Sequence, residues 1–255
     1  MAELLVWPAL LAYSEAALAY AGELRAPGRP GLLATWGVRI GWLAQTALLV
    51  VQVLSGEGFP WGTWAGALNL FVWLIVTAYL VWGCKPRYRL LGLAVMPFAT
   101  ALLVLAWVGG GTGVEQRDDP GWTLAAHAGL MLAGFAGFTV AAAMAALYLW
   151  EERRLKRRDA RVLRLPPLEA LDRLSARVAL AGEALLSAGI VVGLASLDRR
   201  EVDAAMVVAL VIWALYAVVL LLRRESGLRG RRAALLLLAG FALVAVVLPI
   251  THFAS

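Results

Sequence analysis

Long apolar runs separated by short polar connections make up nearly all of the chain, and the runs share one length. Eight of them, near residues 3–22, 33–54, 64–83, 90–108, 123–149, 178–197, 204–222 and 233–252, come close to the roughly 20 residues an α-helix needs to cross a hydrocarbon core. The weak dyad alternation of a transmembrane barrel strand does not occur. The pattern predicts an all-α membrane protein: a bundle of eight transmembrane helices forming a single integral-membrane domain over residues 1–255. The first run has no basic stretch ahead of it and carries Glu15 inside it, so it reads as a retained helix and not as a secretory leader. In the longest connection, 151–177, helix five is expected to continue past the bilayer. Pro166-Pro167 stops a helix there, and LEALDRLSARVAL restarts one that enters the sixth span.

Composition agrees with the pattern, and charge adds a direction. The chain is 62% hydrophobic and 16% charged, with a mean hydropathy of +0.78, which excludes a soluble globule. Of the 23 Lys and Arg, 19 fall in the connections after helices one, three, five and seven, and three (Arg117, Arg199, Arg200) fall on the other side. Cytoplasmic loops carry the cationic excess. Both termini are therefore expected outside, in a multi-pass protein of the inner (plasma) membrane. The net charge of +6 is explained as topogenic, with no nucleic acid needed as a partner. The basic 151–177 loop suits anionic lipid headgroups, with docking of a cytoplasmic partner as the alternative.

Candidate chemistry is sparse. The lone Cys84 leaves no pair for a thiol relay and no CxxCH for covalent haem attachment. No nucleotide-binding loop and no hydrolytic constellation is present, so an enzyme is not the expected class. The two histidines, His127 and His252, both fall at the outer ends of their helices, and imidazole is a good ligand for haem iron. An interfacial polar role is the alternative for each ring. Aromatic residues, among them Trp61, Trp64 and Trp122, gather on the same side, either as an interfacial belt or as rings flanking a planar ligand. Within the spans, Glu15, Arg39, Gln45 and Glu183 stand out, because ionisable or strongly polar groups are costly there and usually face the bundle interior. An ion pair from Arg39 to Glu15 or Glu183 is one expected arrangement.

The order of the segments carries a resemblance. HAGLMLAGFAGFTVAAAMAALYLWEERRLKRR, then LPPLEALDRLSARVALAGEALLSAGIVVG, then LVIWALYAVVLLLRRESGLRGRRAALLLLAGFAL, with GFPWGTWAGALNLFVWLIVTAYLVW upstream, resembles the cytochrome c assembly protein family over roughly residues 35 to 252. The likeness is to the branch of HemX-like and YpjD-like proteins, beside the CcsA haem-handling proteins. It implies non-covalent haem b held at the outer face between two His, which fall on His127 and His252. It also implies a separate assembly partner with a periplasmic domain, and apocytochrome c as the recipient. The chain departs from the family pattern in three places. ASLDRREVDAAMVV replaces the Trp-rich WWD segment, Leu221 stands where an inner His would align, and Gln45 stands for the intramembrane His of helix two. The resemblance thus implies a limited outer haem site for cytochrome c biogenesis. A HemX-like membrane regulator of a haem-biosynthesis enzyme is the second reading, and an accessory subunit or small-solute permease the third.

Overall fold

The computed structural model describes residues 2–23, 29–55, 62–83, 86–114, 121–157, 166–195 and 204–253. Among these residues the chain is all-helical: α1 (Val6–Glu23), α2 (Arg29–Ser55), α3 (Trp64–Gly83), α4 (Gly92–Val108), α5 (Gly121–Lys156), α6 (Leu168–Ala195), α7 (Ala204–Glu225) and α8 (Arg231–Phe253). Each expected apolar run holds one helix. α2, α3, α5, α6 and α7 are each long and apolar enough to cross a membrane. α5 outlasts its apolar run, ending in Arg153, Arg154 and Lys156, whose charges suit the negative end of the helix dipole. α6 starts directly after Pro167 with Glu169 in its first turn. The restart falls where the sequence places it, whereas α5 ends at Lys156, ahead of the proline pair expected to stop it.

The described residues group into two compact units, one ending at Ala125 and the other starting at Ala126. In the first, α1 and α2 pack through small residues. A Cβ on Gly37 would meet the Ala12 carbonyl oxygen at 3.1 Å, and one on Gly41 would meet the Tyr13 ring at 2.5 Å. Close backbone approach of this kind replaces the hydrophobic drive that helices lack in lipid. α2 and α3 are joined by two bonds of the same form: Trp42 Nε1 donates to Thr77 Oγ1 and Trp73 Nε1 to Thr46 Oγ1, both at 2.8 Å. The two indoles stack at 5.8 Å between centroids. Each Thr in turn donates to the carbonyl of the Trp four residues before it, at 2.7 Å, so both hydroxyls are used twice.

In the second unit α5 and α6 meet through Gly134, Gly137 and Gly182. A Cβ on Gly182 would stand 2.9 Å from the Gly134 carbonyl oxygen. Phe138 of α5 stacks on Tyr216 of α7 at 3.7 Å, and the Tyr216 hydroxyl donates to the Leu237 carbonyl of α8. At the opposite end of α6 from His127's helix start, Asp172 takes both Arg223 Nη1 and Nη2, at 3.0 and 2.8 Å, and also the Gly230 N–H at 3.0 Å. One carboxylate thus ties α6, α7 and the turn into α8. Gly230 has φ +68°, a conformation that glycine adopts without strain.

Candidate functional site

His127 lies in the second turn of α5, half-buried, with its Nδ1 2.7 Å from the carbonyl oxygen of Gly189 on α6. The ring rests where α6 has no side chain. A Cβ on Gly193, one turn beyond Gly189, would stand 2.6 Å from Nδ1 and 2.7 Å from Cε1. Gly189 lets the helices approach as well, since a Cβ there would meet Met131 Sδ at 3.1 Å and Leu130 Cβ at 3.2 Å. The spacing of four residues puts both glycines on one face of α6. Sequence reasoning singled out His127 and missed these two. The signal was available in G-I-V-V-G at 189–193, a small-xxx-small pattern beside a helix end.

His252 falls in the last turn of α8, and its side chain lies outside the described residues, as does all of Trp61. Trp64 opens α3, where its ring covers the Gly109 turn so closely that a Cβ on Gly109 would overlap it. Trp122 is 77% exposed on the first turn of α5.

The polar residues within the apolar helices separate into three kinds. Gln45 is fully buried and saturated. Its Oε1 accepts from Tyr13 at 2.9 Å, and its Nε2 donates to the carbonyl and to Oδ1 of Asn69 at 3.0 and 2.9 Å. The chain of bonds continues from Asn69 Nδ2 to Gln52 Oε1, and from Gln52 Nε2 to the carbonyls of Gly111 and Gly113 at 3.1 and 2.8 Å. The network fixes the Gly109–Gly113 turn against α3, where a Cβ on Gly111 would overlap the Ala65 carbonyl. Glu15 and Arg39 are exposed on α1 and α2, and they form no ion pair with each other. Arg39 instead sits over the Trp36 ring, 5.1 Å from its centroid, a cation–π contact with the residue three positions earlier. The expected pairing of Glu15 with Arg39 is thereby corrected: a local ring satisfies the guanidinium in place of the neighbouring helix. Glu183 is 8% exposed, and neither carboxylate oxygen has a hydrogen-bond partner among the described residues.

No group of three or more His, Cys, Asp or Glu side chains that could hold a metal ion occurs among the described residues.

Comparison with known proteins gives two findings. The model of a family described as cytochrome C assembly protein matches residues 61–254. An uncharacterized 28.8 kDa protein from the nifR3-like 5' region of Azospirillum brasilense is 25% identical over 233 residues, covering 86% of this chain and 84% of its own length.

Proposed function

The chain belongs to the cytochrome c assembly protein family, and from that premise we propose that it handles haem at the outer face of the plasma membrane for cytochrome c biogenesis. In this reading all eight helices span the bilayer, with both termini outside. His127 and His252 supply the two axial nitrogens, and the haem is cargo, held non-covalently. The observation that carries the reading is the seat of His127. One ring nitrogen is engaged by a backbone carbonyl and the other has no partner among the described residues, which suits a ring that gives a lone pair to iron.

The saturated state of Gln45 supports limiting the site to the outer face. Every polar atom of its amide is bonded within the helix-two network, so the position is a structural junction and offers nothing to iron. The thioether chemistry belongs to the vinyl groups and to the CxxCH of the client, so this chain's task is to bind, orient and present. The remaining parts of the proposal are a partner supplying a periplasmic domain and apocytochrome c as the recipient.

The test is the absorption spectrum of the detergent-purified protein. A Soret band with low-spin features is expected, and it should be lost or converted to a five-coordinate form in His127→Ala and in His252→Ala. A colourless unsubstituted protein, or two variants with unchanged spectra, rejects the paired-ligand reading.

A further inference from the structure

The glycine face of α6 decides which nitrogen His127 offers. A carbonyl oxygen only accepts, so the 2.7 Å contact makes Nδ1 the protonated, donating nitrogen and leaves the Nε2 lone pair as the open donor atom of the ring. Gly189 and Gly193 contribute differently. Gly189 provides the acceptor and, lacking a side chain, lets α5 come close enough to use it. Gly193 leaves the space in which the ring lies, because a Cβ there would stand inside van der Waals contact with both Nδ1 and Cε1. Both lie in the last two turns of α6, which ends at Ala195. A hydrogen bond from one imidazole nitrogen to a carbonyl acceptor makes the other nitrogen a stronger base towards a metal.

We propose that Gly189 and Gly193 are positioning residues that lock His127 in its Nδ1–H tautomer and present Nε2 as the single ligand atom of the ring. The inference rests on the haem reading for the identity of the metal centre alone. The tautomer is a property of the haem-free chain and is tested there.

The full-length chain, prepared free of haem from haem-deficient cells and carrying ¹⁵N-histidine and His252→Gln, has one imidazole left to observe. Long-range ¹H–¹⁵N correlation at a pH where the ring is neutral is expected to show the Nδ1–H form in large excess, with its proton protected from solvent exchange. In Gly193→Ala the ratio should reverse towards the Nε2–H form that free histidine prefers. An excess of Nε2–H with both glycines present overturns the proposal, and so does a Gly193→Ala chain with an unchanged ratio. The first measurement needs no glycine substitution, so it decides the matter even if Gly193→Ala does not fold. The two readings fail separately. An Nδ1–H ring in a chain that takes up no haem rejects haem handling and keeps the seat, whereas haem uptake by a chain with an Nε2–H ring rejects the seat and keeps haem handling.

Discussion

Gln45 and Glu183 are both polar, both within apolar helices and both nearly closed to solvent, yet their surroundings have opposite consequences. Gln45 joins Tyr13 to Asn69, so Gln45→Leu takes the partner from the Tyr13 hydroxyl and from Asn69 Oδ1 inside the bundle. Hydrogen bonds between helices in lipid average about 0.6 kcal/mol and reach about 1.7. With three bonds lost and partners stranded, a loss of about 1–2 kcal/mol is expected in reversible denaturant unfolding in detergent. A loss below a few tenths of a kcal/mol would show that the network contributes little. Glu183 gives the reverse sign. Neither of its carboxylate oxygens has a partner among the described residues, so replacing it with an apolar residue of similar length removes a burial cost and breaks no bond seen there. Glu183→Met is expected to raise the midpoint of thermal unfolding of the haem-free protein, and a lowered midpoint would reveal a partner for the carboxylate. From the sequence the two positions look alike, since each is a single polar residue in an apolar run. What separates them is who stands opposite, and one strand of sequence does not contain that information.

Helices were the most legible feature, because a span must satisfy all of its backbone groups internally and so announces itself as about 20 apolar residues in a row. Pro166-Pro167 and the charged ends of α5 and α7 set boundaries for the same reason of local chemistry. The joints between helices were not legible. Trp42-x-x-x-Thr46 and Trp73-x-x-x-Thr77 repeat one pattern on two neighbouring helices, but only an antiparallel pairing lets each indole reach the other helix's hydroxyl. Thr46→Val and Thr77→Val are each expected to cost under about 1 kcal/mol, with a nonzero coupling term in the double-mutant cycle because the two stacked indoles share one arrangement. Strict additivity would mean that the two bonds act independently. Asp172 is a stronger joint. Its side chain is 9% exposed and Arg223's 11%, so Asp172→Ala strands a guanidinium among three helices. About 3 kcal/mol or more should be lost in the same unfolding measurement, and Asp172→Asn, which keeps an acceptor for the Gly230 N–H, should cost less.

At the scale of the whole molecule the informative quantity is the division of charge, which gives an expected direction to a topology that the helices alone leave open. An all-helical chain with eight apolar helices can be threaded with its ends on either side. The uneven division of cations, 19 against three, favours the threading with both ends outside, because cytoplasmic loops carry the cationic excess. The threading expected from the charges is the one that would put the His127 end of α5 outside, as the proposed delivery to an apocytochrome requires, and the Asp172–Arg223 joint on the opposite side. A Cys84→Ser background carrying one new cysteine at a time tests it. Asp118→Cys and Asp198→Cys should react with a membrane-impermeant maleimide applied to intact spheroplasts, whereas Asp159→Cys and Ser226→Cys should react only after permeabilisation. Reversed labelling at all four positions would place His127 on the cytoplasmic side, leaving its Nε2 open towards the wrong compartment and removing the basis for delivery to an external client. Labelling of Asp118→Cys and Asp159→Cys from the same side would instead mean that α5 does not cross. Its 36 residues, about 54 Å at 1.5 Å per residue, would then need another explanation for their length and apolarity.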